Sequence, residues 1–264
     1  MIELKGKVAV VTGSGSGIGL HYATELLNND LKGVTIVDIN EKNGMKALEE
    51  LQKKFGNDRV IFVKTDITDI KQFEDAFKKT VEKFGHVDIL INNAGVLDDR
   101  IWEKQISINV NGTINGILLA IQNYICKHKS GAEGVVVNIS SVVGLDISTV
   151  VPIYGATKHA VTSLSRSFGS DVYYDLSKVR VFCVCPGSVE TELMQGWLDK
   201  SLKPEYTSEL KKMNISTKYQ SGTHVAQNMV KLIKDAPNGS VWVIEENTAP
   251  YKIDFPGYTE SMRF

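Results

Sequence analysis

Short apolar runs of four to six residues recur along the chain. Each is followed by a longer stretch in which apolar residues return every three or four positions. The first kind fits a strand buried on both faces, and the second an amphipathic helix. On this reading strands occupy residues 8–11, 34–37, 60–63, 87–91, 135–139, 179–184 and 241–244. Helices occupy residues 17–29, 42–55, 71–84, 102–127, 152–175 and 224–235. Regular alternation of the two predicts a mostly parallel sheet covered on both faces. Right-handed crossovers favour the order 3-2-1-4-5-6 with a seventh strand appended. The expected fold is therefore α/β, a doubly wound (Rossmann-type) seven-stranded parallel sheet. No repeat or shift of composition marks a second domain, so residues 1–264 read as one unit. Residues 189–220 form a mixed segment placed to cover a site, and residues 245–264 a tail whose Tyr251, Phe255, Tyr258 and Phe264 argue against full solvation.

Composition narrows the class. The chain has 264 residues, 42% hydrophobic and 23% charged, with a net charge of −1. That is ordinary for a soluble globular protein and supplies no basic field for nucleic acid. No apolar run is long enough for a membrane span, and the first residues lack the pattern of a signal peptide. Three cysteines, Cys126, Cys183 and Cys185, make a disulfide framework improbable and fit a reducing, cytoplasmic setting. Cys183 and Cys185 would share one strand face as packing groups, and no metal-ligand pattern accompanies them.

The first strand–helix junction carries Thr12-Gly13-Ser14-Gly15-Ser16-Gly17-Ile18-Gly19. Glycines there let the backbone turn tightly and approach a pyrophosphate, and the helix start offers free N–H groups. Asp38 closes the second strand, 25 residues after Gly13, with Ile39 behind it. A carboxylate there accepts hydrogen bonds from ribose hydroxyls and repels a 2′-phosphate, which favours NAD over NADP. Asp66 and Ile67 follow the third strand, where an acidic side chain can meet the adenine amino group or simply cap a turn. Asn93, Ala94 and Gly95 follow the fourth strand, at the same sheet edge.

Tyr154 and Lys158 lie four apart at the start of a long helix and so share one face. A free tyrosine is a poor base at neutral pH, with a pKa near ~10. A neighbouring ammonium favours the phenolate, giving a proton acceptor suited to alcohol oxidation. Ser141, 13 residues before Tyr154, emerges from the fifth strand and can steady the substrate oxygen. Ser140 competes for that place but is better suited to bracing the turn.

Taken together, Thr12-Gly13-x-x-x-Gly17-x-Gly19, Asn92-Asn93-Ala94-Gly95, Ser141, Tyr154-x-x-x-Lys158 and Pro186-Gly187 occur in the order of the short-chain dehydrogenase/reductase family, which the chain resembles over nearly its whole length. The resemblance implies further roles. Asn109 matches the asparagine that holds a water in the proton relay to the lysine. Thr191, with the backbone at Val189, matches the contact to the nicotinamide carboxamide beside Pro186 and Gly187. Ser16 and Ile18 fall within the cofactor-binding turn. Dimers or tetramers built on the two long central helices are implied as well.

Within the family the chain looks most like NAD-linked hydroxyprostaglandin dehydrogenases and insect-type alcohol dehydrogenases, through Asn93-Ala94-Gly95-Val96 with Trp102-Glu103-Lys104, and Asn238-Gly239-Ser240-Val241-Trp242. The prostaglandin-acting relatives place a polar Gln three residues before the tyrosine, whereas this chain has Val151. With Met194 and Trp197 in the covering segment, this points to an apolar secondary or allylic alcohol, terpenoid or lipid-like. The expected reaction is NAD-dependent oxidation of that alcohol to the carbonyl by a Ser-Tyr-Lys-Asn tetrad. The alternatives are prostaglandin oxidation and a catalytically silent NAD-binding storage protein.

Overall fold

The computed structural model describes residues 2–213 and 217–256. Its apolar runs become the parallel strands β1 (Val8–Thr12), β2 (Gly33–Asp38), β3 (Val60–Lys64), β4 (Ile89–Asn92), β5 (Gly134–Ile139), β6 (Val179–Pro186) and β7 (Val241–Ile244). Their order is β3-β2-β1-β4-β5-β6-β7, as the crossover rule predicts. β1, β5 and β6 are buried at every residue, which is why their sequences run apolar without alternation.

The sheet is covered by α1 (Gly17–Asn28), α2 (Glu41–Phe55) and α3 (Ile70–Phe84), then by a broken run of α4 (Trp102–Ile106), α5 (Thr113–Leu118) and α6 (Ile125–His128). α7 (Pro152–Phe168), α8 (Asp171–Ser177), α9 (Pro204–Lys212) and α10 (Gly222–Asp235) follow. Tyr22, Leu26, Met229 and Ile233 of α1 and α10 fill the core on one face of the sheet. Phe73, Phe77, Ile117 and Ile125 of α3, α5 and α6 fill it on the other. Several helices start on caps legible in the sequence: the side chains of Asn40, Asp69 and Ser221 accept from backbone N–H groups of the first turn. No described helix is long and apolar enough to cross a membrane.

Three expectations need correction. The sheet has eight strands, because β8 (Tyr251–Ile253) pairs antiparallel with β7 in the register Val241↔Ile253 and Val243↔Tyr251. Glu246 and Asn247 take left-handed backbone conformations, φ 50° and 56°, that reverse the chain. The tail is thus docked as far as β8, and Arg166 lies over the Phe255 ring at 3.9 Å. Its last residues, with Tyr258 and Phe264, lie outside the described residues.

The helix expected over 102–127 alternates between α-helical pieces and two π-helical turns, Ser107–Gly112 and Leu119–Asn123. Local polar groups account for the first of these. Asn109 is tied sideways to Val96, and the Thr113 hydroxyl donates to the Asn109 carbonyl at 2.8 Å. The helix expected over 152–175 splits into α7 and α8. A Cβ at Gly169 would lie 2.3 Å from the backbone of Gly239, so the two segments pass too closely for a side chain.

A buried polar chain locks the central strands to the helices. Asn92 Nδ2 donates to Asn138 Oδ1 at 2.8 Å and to the Thr113 carbonyl at 3.3 Å. Asn138 Nδ2 donates to Ser165 Oγ at 3.0 Å, and that hydroxyl donates on to the Val161 carbonyl. Removing the middle member orphans a buried donor at a cost of about 2 kcal/mol. Asn138→Ala is expected to lower the unfolding free energy by that amount, read as a lower urea midpoint with an unchanged m-value. An unshifted midpoint would mean that the network contributes nothing to stability.

Candidate functional site

The carboxyl ends of β1, β4, β5 and β6 open into two adjoining chambers. This is where a doubly wound sheet changes winding direction and leaves a crevice. The first chamber, about 280 Å³, is bounded by the turn after β1, the end of β2 and the segments after β3 and β4. Gly13, Ser16, Gly17, Ile18, Asp38, Ile39, Asp66, Ile67, Asn93, Ala94, Gly95 and Thr191 all line it. Among the described residues its lining includes no lysine, arginine or histidine.

The glycine turn is held from below. Gly13 has φ +62°, and Gly19 sits so close beneath it that a Cβ would lie 2.2 Å from the Gly13 carbonyl oxygen. Gly19 therefore packs the turn and does not line the chamber. Asn93 Nδ2 donates to the carbonyls of Thr12 and Gly13 at 2.9 and 3.1 Å. The Thr12 hydroxyl accepts from the N–H groups of Asn93 and Ala94, each at 3.0 Å. Thr12 is a brace that its position in the motif hinted at but no spacing argument singled out.

Asp38 faces the turn directly. Its Oδ2 accepts from Gly15 N–H and its Oδ1 from Asn40 N–H, both at 2.9 Å. The carboxylate is thereby fixed at the rim of the chamber. Asp66 Oδ1 accepts from both the N–H and the hydroxyl of Thr68. It serves as a turn former while still lining the chamber.

The second chamber, about 480 Å³, lies beyond β5 and β6. Ser141, Val151, Tyr154, Lys158, Pro186, Gly187, Val189, Met194 and Trp197 line it, so residues read as cofactor-binding and as substrate-binding share one wall. Leu97, Val143 and Leu193 extend its apolar wall, and Lys218, Glu245 and Glu246 give it a charged rim. Neither the loop residues nor the rim carried a pattern that marked them. At the rim Lys218 pairs with Glu246 at 2.9 Å, and Tyr251 of β8 donates to Glu245. The covering segment is anchored at both ends: Val189 pairs with Gln220 in a parallel bridge, and Gln220 Nε2 donates to the Ile244 carbonyl at 2.7 Å.

Four residues cluster around Tyr154, and they are not equally placed. Ser141 stands on the side of the phenol and favours its ionised form, while its Oγ accepts from Val143 N–H at 3.4 Å. Ser140 turns away and bridges β5 to α7, with its hydroxyl 2.8 Å from the Lys158 carbonyl and 2.9 Å from Thr162 Oγ1. Lys158 Nζ donates to the Ile139 carbonyl at 2.9 Å and stands 5.6 Å from the Tyr154 ring centroid.

Asn109 lines neither chamber. Its side chain accepts from Val96 N–H at 2.8 Å and donates to the Val96 carbonyl and to Thr157 Oγ1. It stands behind Gly95, where an added Cβ would come within 3.2 Å of Asn109 Oδ1 and 3.6 Å of Lys158 Nζ.

Burial dominates the electrostatics of this cluster. Burial raises the Tyr154 phenol well above its ordinary value, and Ser141 only partly offsets this. Burial also lowers Lys158 from 10.5 to about 8, against the raising effect of Cys183 and Cys185. The lysine alone therefore does not hold the tyrosine as phenolate. Cys183 and Cys185 do share a face, with their sulfurs 3.9 Å apart behind this cluster.

The short chain dehydrogenase family model matches residues 7–202. The 15-hydroxyprostaglandin dehydrogenase [NAD(+)] of Rattus norvegicus is 35% identical over 262 residues, covering 97% of this chain and 96% of the relative. Alcohol dehydrogenase 1 of Ceratitis capitata is 32% identical over 248 residues, covering 94% and 95%. A short chain dehydrogenase/reductase from Burkholderia phymatum, solved in complex with NAD, superposes with a TM-score of 0.77 at 26% identity over 93% of this chain and 90% of that one.

The buried lysine sets a stability cost with a defined sign. Its folded value of about 8 lies below the 10.5 of the unfolded chain, so between those values the unfolded chain binds more protons and stability rises with pH. Below about 8 the penalty is fully present, on the order of 3 kcal/mol. Lys158→Met is expected to stabilise the ligand-free protein at pH 7 by about 1–2 kcal/mol, after the lost bond to Ile139. Urea titrations should show that gain shrinking between pH 8 and pH 10.5. A destabilised Met variant at pH 7 would contradict this.

Proposed function

This chain belongs to the short chain dehydrogenase family, and from that premise we propose that it oxidises an apolar secondary or allylic alcohol, terpenoid or lipid-like, to the carbonyl with NAD as acceptor. The observation that carries the reading is the gathering of Ser141, Tyr154 and Lys158 on the wall of the second chamber, which adjoins the first.

The first chamber fits a dinucleotide. Gly13 and Gly17 take left-handed backbone conformations at the start of α1, which opens the turn to a pyrophosphate at the helix N-terminus. Asp38 would accept the adenosine ribose hydroxyls. A 2′-phosphate would meet Asp38, Asp66 and Glu192 with no cation among the described lining residues, so NAD is favoured over NADP. Thr191 and the Val189 backbone would border the nicotinamide.

Bound NAD supplies the hydride acceptor and a positive charge beside the phenol. A positive charge held there would oppose the burial that otherwise keeps Tyr154 protonated. Tyr154 then takes the proton from the substrate hydroxyl. Ser141 donates to the same oxygen and steadies the charge as the carbonyl forms. Lys158 would hold the cofactor's ribose, and its ammonium favours the phenolate. Asn109, one layer behind, holds the Val96 backbone and stands beside Lys158, where its assigned part is to pass the proton onward through water. Leu97, Val151, Met194 and Trp197 exclude water from the reacting carbon.

A second reading, oxidation of a prostaglandin or similar hydroxy acid, is favoured by the 35% identity to the rat enzyme. Val151 stands against it, because it offers no hydrogen bond to a polar substrate group. An NADH-absorbance screen over terpenoid alcohols, hydroxysteroids and a prostaglandin separates the two. Fastest turnover of a terpenoid alcohol is expected, and turnover of the prostaglandin alone would replace the first reading with the second.

Two substitutions test the roles. Tyr154→Phe is expected to lower kcat by about 10³-fold or more while NADH binding stays within about threefold. Full turnover in that variant would remove Tyr154 from the chemistry. Asp38→Ala with Ile39→Arg should raise the ratio of NADP to NAD kcat/KM by at least about tenfold. An unmoved ratio would show that Asp38 does not select the cofactor.

A further inference from the structure

The helix that carries Tyr154 starts without a cap of its own. Its N-cap residue is Val151, which has no side-chain acceptor, and its first residue is Pro152, which has no N–H. Gly155 N–H already bonds to the Val151 carbonyl at 2.9 Å. The donors left to satisfy are the N–H groups of Ile153 and Tyr154.

Both are met by a carboxylate from another part of the chain. Asp99, in the loop after β4, accepts from Ile153 N–H through Oδ2 and from Tyr154 N–H through Oδ1, each at 2.9 Å. Asp99 is fully buried. Its third bond is from Gln105 Nε2 at 2.9 Å, so all three described donors are neutral. The positive end of α7 compensates the charge. Gln105, itself fully buried, is held in turn because its Oε1 accepts from Asp98 N–H at 2.6 Å. Two residues before Asp99, Leu97 packs with Val151 and Tyr154 in the wall of the second chamber.

We propose that Asp99 is a positioning residue for the reaction: it replaces the missing N-cap of α7 and thereby sets where Tyr154 presents its phenol to Ser141 and to the substrate held against Leu97. The proposal rests on Tyr154 acting as the proton acceptor. A cap that served stability alone would change the melting temperature and leave kcat per folded enzyme untouched. A positioning role shows in kcat, because a displacement of about 1 Å at a reacting group costs on the order of 100-fold.

The test uses the whole chain with NAD and the fastest alcohol of the panel above. Asp99→Asn keeps the shape but turns one acceptor into a donor facing an N–H of α7. It should lose about 10-fold or more in kcat and equally in kcat/KM for the alcohol, with NADH affinity within about twofold. Gln105→Glu gives a second reading should the first variant not fold. It sets two carboxyls side by side, and they bond well only while sharing a proton. Its kcat should be within about threefold of the parent at pH 6 and fall at least about 10-fold below it by pH 9.

Wild-type kcat in folded Asp99→Asn, or a Gln105→Glu profile parallel to the parent at every pH, overturns the proposal. Tyr154→Phe is assayed alongside. Retained turnover there overturns the reading of Tyr154, whereas lost turnover there with wild-type kcat in Asp99→Asn overturns only the role of Asp99.

Discussion

Lys158 reaches from α7 to the last residue of β5 and donates to the Ile139 carbonyl at 2.9 Å, at a depth where burial opposes its charge. This one bond fixes much of the site. It clamps the helix against the end of the central strand, one turn beyond Tyr154. The clamp is doubled from the strand side, because Ser140 bonds to the Lys158 carbonyl and to Thr162. With Ser140 so engaged, Ser141 is the serine left facing the phenol. The choice between two adjacent serines thus follows from strand pleating, which sends successive side chains to opposite sides.

The interior around that bond is polar and yet satisfied. Asn92, Asn138 and Ser165 form one closed chain, and Thr12 and Asn93 form another. Each ends on backbone carbonyls, so almost no buried group there is left without a partner. Among the described residues the unpartnered buried side-chain atoms belong to Tyr22, Gln220 and Asn238, none of which lines the chambers. A site that must hold a phenol and an ammonium within fractions of an ångström needs such a rigid frame.

What the sequence disclosed follows from how local each signal is. The strands of a sheet buried on both faces announce themselves as apolar runs, and β1, β5 and β6 do so plainly. The Gly13–Gly19 turn and the four-residue spacing of Tyr154 and Lys158 are also local, and the residues named from them line the chambers, save Gly19 beneath its turn. Asn109 lines neither. Features that depend on distant partners stayed hidden. β8 is three residues long between two prolines, too short for a period to register. The π-helical turns leave the apolar repeat nearly intact while shifting backbone hydrogen bonds. Asp99 gave no signal of its own. Its sign lay 52 residues away, in a helix beginning Val151-Pro152 where a capping side chain belongs. An absent cap is a legible clue, but only the fold tells which residue supplies it.

The two chambers are not separable compartments. Ile18, Asn93, Gly95, Thr191 and Leu193 line both of them. Thr191 stands across from Gly17, where an added Cβ would come 3.7 Å from it, so the segment that covers the second chamber also closes over the glycine turn of the first. That segment is pinned where Val189 bridges to Gln220 and where Gln220 bonds to Ile244 of β7. Between the pins its apolar side chains, Leu193, Met194 and Trp197, pack against Val151 and Tyr154 rather than against the sheet. Any molecule filling the first chamber therefore presses on the same residues that wall the second. Ordering by one ligand lowers what the other must spend to bind. Coupling of that kind needs no moving domain, only a cover shared by two adjoining cavities and anchored at both ends.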